Sequence, residues 1–220
     1  MKGRLITAKM IAGFKEHLIL EERSAATIQK YIRDVKAFAE YARLCQAAQR
    51  RHNERLNLIL QTICGTGIRV SELQFITVEA AKCGEAVVRC KGKTRTVFLV
   101  KALRQKLLRY AAEQGIKSGM IFVTRTGKPI SRTNIWREMK ALCVEADVNP
   151  QKVFPHNLRH LFARVFYGIE KDIANLADIL GHSSINTTRI YNLHRHGTPP
   201  PDGNYAPDPM KKAAHSAAGT

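Results

Sequence analysis

Long apolar runs are absent from this 220-residue sequence. No stretch approaches the ~20 consecutive apolar residues that a membrane-spanning helix requires. The N-terminal residues 1–7 (MKGRLIT) also lack the apolar centre and the small-residue cleavage site of a secretory signal peptide. We therefore expect a cytoplasmic protein that has no membrane partner.

Cysteine is scarce, and its five copies form no C-x-x-C pair. An odd number of cysteines without such pairs predicts neither a disulfide framework nor a zinc knuckle. We interpret all of them as reduced core or surface residues: Cys45, Cys64, Cys83, Cys90 and Cys143.

Acidic residues are half as numerous as basic ones, 18 against 36, which leaves a formal net charge of +18. Most of the excess lies in residues 47–193, with 24 basic and 11 acidic residues. A basic surface of this size concentrates phosphate polymers and makes their binding salt-dependent. The charge therefore predicts a nucleic-acid partner, although ribosomal proteins, membrane-surface proteins and merely solubilised proteins share such a composition.

Hydrophobic residues make up 45% of the chain, enough for a buried core, and many recur at helical spacing. Residues 7–46 predict two amphipathic helices in a hairpin, with Ser24 as the N-cap of the second. The next helix is predicted over residues 52–66, with a break at Gly65-Thr66-Gly67. Later helices are predicted over residues 101–114, over residues 132–147, from Pro155 onward and over residues 173–180.

A β signal occurs at one place. Residues 86–90 and 94–100 are rich in β-branched residues and flank the turn Lys91-Gly92-Lys93, which predicts a β-hairpin with a basic tip. Beyond Tyr191 the sequence becomes Pro-rich, and residues 194–220 predict a disordered tail. The predicted fold class is mostly α with a small antiparallel β-sheet (α+β).

The reactive side chains fall in four short segments of the chain. Together they supply two arginines, a lysine, several histidines and a tyrosine, without a cluster of carboxylates that would hold Mg²⁺. Guanidinium groups match the non-bridging oxygens of a phosphodiester, lysine and histidine offer protons near neutral pH, and a tyrosine hydroxyl can act as nucleophile. The set predicts a phosphodiester site that needs no metal or other cofactor. The segments are Thr66–Leu73, Lys91–Lys93, His156–His160, and Leu180–His182 with Tyr191.

His156, Arg159 and His160 project from one face of a predicted helix, which permits a shared site. Free backbone N–H groups near Pro155 would add to an anion site. Two other interpretations of His156 stay open. It can be an ordinary satisfied histidine, or it can form an H-x-x-x-H zinc pair with His160, although no nearby Glu or Cys completes a ligand set.

Five motifs, in this order, resemble the tyrosine recombinases, the phage-type integrases. They are T-G-I-R-V-S-E-L around Arg69, a hairpin lysine, H-N-L-R-H from His156, L-G-H ending at His182, and Tyr191 nine residues later. The resemblance covers residues 42–193. It is especially close to integrases of bacterial mobile elements.

The resemblance implies the central chemistry. Arg69 and Arg159 would clamp the scissile phosphate and stabilise the pentacovalent transition state. Tyr191 would attack the phosphate, leaving a 3′-phosphotyrosyl enzyme and a free 5′-hydroxyl. The bond energy is conserved, so no ATP is required.

The resemblance also implies proton-transfer roles. Lys91 would protonate the leaving 5′-oxygen, His156 would take the tyrosine proton, and His182 would hydrogen-bond the phosphate. The family form of the lysine motif, G-K-G-x-K-x-R, is one residue longer than Cys90–Arg95 here, so two lysines fit it. Lys93 is therefore the alternative to Lys91.

Supporting roles follow from the same motifs. Glu72 would orient the site, although it can equally be an acidic residue at a helix N-terminus, and His160 would brace its helix. Arg95 and Arg189 are expected to contact DNA. Thr188 is interpreted as a helix-surface or phosphate-contacting residue.

The resemblance predicts three regions. Residues 1–46 would be a truncated helical core-binding (SAM-like) region, residues 47–193 the catalytic domain, and residues 194–220 the tail. Family members normally carry four or more N-terminal helices and a helix beyond the tyrosine that docks on a neighbouring protomer.

The expected function is site-specific recombination or integration of double-stranded DNA by a homo-oligomer, a tetramer, with no small-molecule substrate. Two alternatives remain at this point. One is a truncated relic that binds DNA without completing strand exchange, and the other is a topoisomerase-like relaxing enzyme.

Overall fold

The computed structural model describes residues 6–90, 92–182, 184 and 186–188. Within them, the structure has eight α-helices, two short 3₁₀-helices and one two-stranded sheet. This architecture confirms the mostly helical α+β prediction. The predicted tail, residues 194–220, lies outside the described residues. The elements are α1 (Ala8–Leu20), α2 (Ala25–Arg50), α3 (Glu54–Thr66), a 3₁₀-helix (Val70–Phe75), α4 (Val78–Cys83), β1 (Glu85–Cys90), β2 (Lys93–Phe98), α5 (Lys101–Glu113), α6 (Arg132–Leu142), a 3₁₀-helix (Pro150–Lys152), α7 (Pro155–Glu170) and α8 (Ile173–Leu180).

The N-terminal hairpin is formed by α1 and α2. The side chain of Ser24 accepts a hydrogen bond from the backbone N–H of Thr27 at 3.3 Å, so the predicted N-cap is confirmed. Helix α2 continues to Arg50 because its last turns bury Leu44 and Ala47 in the main core. One continuous helix therefore spans residue 46, and the domain boundary placed there stays a prediction.

Helix α3 lies at the centre of the core and packs against α2, α5, α6 and α7. It is apolar on most of its surface, and Leu56, Ile59 and Leu60 are completely buried. Such a helix is stabilised by burial on several sides rather than by one amphipathic face. Its C-terminal end is thereby held in a fixed position inside the molecule.

The β-hairpin pairs β1 and β2 antiparallel, with Cys90 opposite Lys93. The predicted three-residue turn Lys91-Gly92-Lys93 is therefore wrong by one residue, because Lys93 already belongs to β2. Two-residue loops are the commonest hairpin connections, because their favoured turn types match the twist of the paired strands. Residues two apart on a strand share a face, so Arg95 lies on the same inward face as the buried Val97.

In the second half of the chain, most helix ends lie where the sequence predicts them. Helix α7 begins at Pro155, and α8 ends before Gly181, as predicted. The prediction over residues 132–147 is too long, because α6 ends at Leu142 and a turn follows in which Asp147 has a left-handed backbone (φ 49°). No helix in the described part of the chain combines the length and apolarity needed to cross a membrane.

Candidate active site

Arg69 lies just beyond the end of α3. Helix α3 terminates at Gly67, whose backbone is left-handed (φ 65°), and Arg69 then caps the following 3₁₀-helix. Glu72, 2% exposed, holds this arginine at both ends. Its Oε2 accepts from the Arg69 backbone N–H at 2.8 Å, and its Oε1 accepts from Nη1 at 2.9 Å. The side chain of Arg69 remains 36% exposed, so its guanidinium can still meet a ligand.

Arg95 reaches the same carboxylate from strand β2. Its Nη2 donates to Glu72 Oε2 at 2.7 Å, and only 11% of its side chain is exposed. The guanidinium packs against the backbone of Gly181, where a Cβ atom would lie 2.6 Å from Arg95 Nε. The structure thus turns this residue, predicted to contact DNA, toward the interior of the site, and the DNA contact stays a prediction.

Arg159 is buried at 2% exposure on helix α7. Its Nη1 donates to the Gly67 carbonyl at the end of α3, and its Nη2 donates to the Leu180 carbonyl at the end of α8, at 2.6 Å. Two helix C-termini present unsatisfied carbonyls with partial negative charge, which favours a cation between them. Arg159 therefore joins three helices at one point.

His182 follows the left-handed Gly181 that ends α8. Its Nε2 lies 3.2 Å from Arg159 Nη2, and its Nδ1 lies 2.8 Å from the Thr188 hydroxyl. Burial and the positive charges of nearby arginines, Arg159 first, lower the pKa of His182 to about 4. The ring is therefore neutral at pH 7.

Helix α7 also carries His156 and His160, whose rings meet edge to face with centroids 4.2 Å apart. Desolvation, followed by the charges of Arg159, Arg132 and Arg69, lowers the pKa of His156. The neutral imidazole can accept a proton at pH 7. The described residues contain no group of three or more His, Cys, Asp or Glu side chains that could hold a metal ion.

The structure brings most of the predicted site residues together. Arg69 also donates to the Gly181 carbonyl at 3.2 Å, so residues 112 positions apart in sequence touch. The cluster contains Arg69, Glu72, Arg95, His156, Arg159, His160 and His182. The side chains of four predicted residues lie outside the described part of the chain: Lys91, Lys93, Arg189 and Tyr191.

Sequence reasoning missed two contributions. Thr188 is completely buried and contacts His182, so its interpretation as a surface residue is wrong. Arg132, at the start of α6, lies close enough for its charge to lower the pKa of His156. Thr188 lies between the L-G-H motif and Tyr191, where no local pattern points to a contact with His182. The exposed first turn of α6 gives no sequence signal of its position beside α7.

Residues 36–197 match the model of the phage integrase family. The chain belongs to this family. The match spans all the residues of the described cluster, and it confirms the sequence resemblance to tyrosine recombinases.

Among named relatives, the tyrosine recombinase XerH of Campylobacter jejuni subsp. jejuni serotype O:2 is 32% identical over 189 residues. The alignment covers 82% of this chain and 50% of that protein. XerC of Erythrobacter litoralis is 30% identical over 174 residues, which cover 75% of this chain and 56% of the relative. The chain spans about half the length of these curated relatives.

Solved structures share the fold. The crystal structure of XerA recombinase has a TM-score of 0.61 at 23% identity and covers 100% of this chain and 86% of its own. A lambda integrase dimer bound to a COC′ core site has a TM-score of 0.56 at 19% identity, covering 88% of this chain and 82% of its own. Both comparisons support the fold assigned above.

Proposed function

We propose that this chain breaks and rejoins double-stranded DNA at specific sites through a 3′-phosphotyrosyl intermediate. The observation that carries the proposal is the meeting of Arg69, Arg159 and His182, which three separate segments bring to one point. Two guanidinium groups and an imidazole fit the oxygens of a single phosphodiester, whose charge increases in the transition state. Membership of the phage integrase family supports DNA strand cleavage and rejoining as the type of reaction.

The proposed first step exchanges one phosphoester for another. The Tyr191 oxygen attacks phosphorus as the bond to the 5′-oxygen breaks, and a free 5′-hydroxyl results. His156 takes the tyrosine proton, and Lys91 gives a proton to the leaving oxygen. A neutral His156 at pH 7 supports its assignment as proton acceptor. Rejoining reverses these transfers with a 5′-hydroxyl from the partner duplex.

The proposed supporting residues act around that centre. Glu72 fixes Arg69 through two hydrogen bonds and also binds Arg95, so it sets the direction of both guanidinium groups. His160 packs on His156 and limits its ring orientation. Arg189 would add a DNA contact beside the tyrosine.

Duplex DNA is the proposed partner, and a homo-oligomer, a tetramer, is the proposed active assembly. The excess of basic residues supports the DNA partner. Similar folds have been solved with DNA, including XerH bound to a difH substrate, at TM-score 0.59 and 21% identity over 80% of this chain. Strand exchange requires two duplexes in one assembly, which is the reason for proposing an oligomer.

The deciding experiment uses nicked suicide duplexes whose sequence is randomised around the nick. We expect a covalent protein–DNA adduct that survives denaturing electrophoresis, and we expect Tyr191→Phe to abolish it while DNA affinity is retained. Tyr31→Phe, an exposed tyrosine on α2, is the matched control and should leave the adduct unchanged. An adduct that persists in Tyr191→Phe would overturn the assignment of the nucleophile.

A second measurement separates recombination from cleavage alone. Two duplexes carrying a cleavable sequence are mixed with the protein, and recombinant products are followed on a gel. Joined products support strand exchange by this chain. Adducts without joined products would support the alternative of a DNA-cleaving, recombination-defective relic.

A further inference from the structure

Thr188 and His182 form a buried contact that the proposed mechanism does not use. The Thr188 side chain is 0% exposed, and its hydroxyl oxygen lies 2.8 Å from His182 Nδ1. The second ring nitrogen, Nε2, lies 3.2 Å from Arg159 Nη2. Both nitrogens of the imidazole are therefore engaged from opposite sides.

The chemistry of Arg159 decides how the proton is placed on the ring. A guanidinium carries N–H donors and no acceptor, and it keeps its charge in proteins. His182 Nε2 must therefore accept the hydrogen bond from Arg159. A neutral imidazole has one N–H group, so Nδ1 carries it and donates to the Thr188 hydroxyl.

The opposite tautomer does not fit these contacts. An N–H on Nε2 would face an N–H of Arg159 at 3.2 Å, with two donors and no acceptor between them. The Thr188 hydroxyl could adjust to either tautomer, because it both donates and accepts. The arginine therefore selects the tautomer, and the threonine fixes the ring that carries it.

We propose that Thr188 is a positioning residue: its hydroxyl accepts from Nδ1–H of His182, fixes the ring in the tautomer that Arg159 selects, and so aims Nε2 at the phosphate site beside Arg159. This inference rests on the proposed function for its consequence. A ring held this way accepts at Nε2 in the free protein. It can donate from Nε2 to a phosphate oxygen only after taking up one proton.

Thr188 serves both protonation states of that ring. Nδ1 is a donor in the neutral tautomer and in the imidazolium, and the threonine hydroxyl accepts from it in each case. The orientation of the ring therefore does not change when Nε2 gains a proton. A side chain with no acceptor at this position would lose that property.

The matched set of variants is Thr188→Val, Thr188→Ser and Thr187→Val. Valine keeps the shape of threonine and removes the hydroxyl, whereas serine keeps the hydroxyl. Thr187 is the exposed neighbour, so Thr187→Val controls for the loss of a hydroxyl in this segment. All are made in the full 220-residue chain.

Nitrogen NMR of the histidine ring tests the inference without DNA. In the wild type at pH 7 we expect a protonated, slowly exchanging Nδ1 and an unprotonated Nε2 on His182. Thr188→Val should give fast exchange of the Nδ1 proton, and Thr188→Ser and Thr187→Val should keep the wild-type pattern. A wild-type ring protonated at Nε2, or an unchanged pattern in Thr188→Val, would overturn the inference.

Cleavage of the nicked duplex supplies the functional readout. Loss of one orienting hydrogen bond should slow the single-turnover cleavage rate by roughly tenfold in Thr188→Val, with unchanged DNA affinity. Thr188→Ser should recover most of the rate. If the wild type forms no adduct, the proposed function fails while NMR still decides the role of Thr188. If the wild type cleaves and Thr188→Val cleaves equally fast, the positioning role fails alone.

Discussion

Glu72 and Arg95, 23 residues apart in sequence, form an ion pair of 2.7 Å between Oε2 and Nη2 inside the candidate site. Glu72 is 2% exposed and also binds Arg69, so one carboxylate balances two guanidinium groups. Arg95 Nε and Nη1 are buried without a hydrogen-bond partner among the described residues. Removing the carboxylate would leave positive charges together in a poorly solvated place.

We therefore expect Glu72→Ala to reduce the free energy of unfolding by about 3–5 kcal/mol, the usual cost of breaking a buried ion pair from one side. Urea denaturation of the wild type and of Glu72→Ala measures this difference in the free energy of unfolding. The control is Glu113→Ala, because Glu113 forms an exposed 3.7 Å pair with Arg109 and should change stability by about 0–1 kcal/mol. Equal losses in the two variants would contradict a supporting role for Glu72.

Gly67 gives a second prediction, because its conformation and its surroundings both exclude a side chain. Its φ is 65°, and a Cβ atom would lie 2.5 Å from Phe162 Cδ1 on α7. We expect Gly67→Ala to destabilise the protein by more than about 1 kcal/mol in urea denaturation. DNA cleavage should also slow, because the Gly67 carbonyl accepts from Arg159.

Gly65, two residues earlier within α3, is the matched control. A Cβ atom there meets nothing within 4 Å, and the residue is helical. Alanine favours a helix over glycine, so Gly65→Ala should leave stability unchanged or raise it by up to about 1 kcal/mol. A Gly67→Ala variant as stable as Gly65→Ala would show that the close approach of α7 is not as described.

The sequence predicts those parts of the fold and site that depend on local spacing. Helical periodicity places His156, Arg159 and His160 on one face, and the N-cap chemistry of Ser24 marks the start of α2. Contacts between distant segments are not encoded in this way. Glu72, the carboxylate partner of Arg95, lies on another element. The inward direction of the Arg95 side chain follows from the strand register, and the sequence prediction of the turn differs from that register by one residue.

Thr188 shows the same limitation at the site itself. Its burial accompanies its contact with His182, which lies beside Arg159, and no local pattern predicts that contact. The end of α6 at Leu142 is likewise not predicted by the local sequence pattern. Residues 143–147 suit a helix locally, yet the chain turns there so that Val148 can be buried.

His182 yields a pH prediction. Its pKa is about 4 in the folded protein, compared with 6.5 for an unperturbed histidine. As pH falls below about 6.5, the unfolded chain binds a proton at this position that the folded chain does not bind. The free energy of unfolding should therefore decrease as pH falls from about 6.5 toward 4.

His182→Asn removes this titrating group. We expect the melting temperature of the variant to fall less than that of the wild type between pH 7.5 and pH 5, in scanning calorimetry at matched ionic strength. Parallel pH curves for wild type and His182→Asn would contradict a depressed pKa at His182.

Asp34 and Arg164 connect the N-terminal hairpin to the helix that carries the site. Arg164 Nε donates to Asp34 Oδ1 at 2.8 Å, and their side chains are 20% and 17% exposed. This pair joins α2 to α7, which also pack directly on each other.

If α2 is a fixed part of the catalytic body, a double-mutant cycle of Asp34→Ala and Arg164→Ala should give a coupling energy of about 0.5–3 kcal/mol. Arg33 is the matched control, because it lies 3.5 Å from Asp34 on the same helix, and its coupling to Asp34 should be smaller than that of Arg164. A coupling of zero between Asp34 and Arg164 would show that this ion pair does not stabilise the contact between α2 and α7.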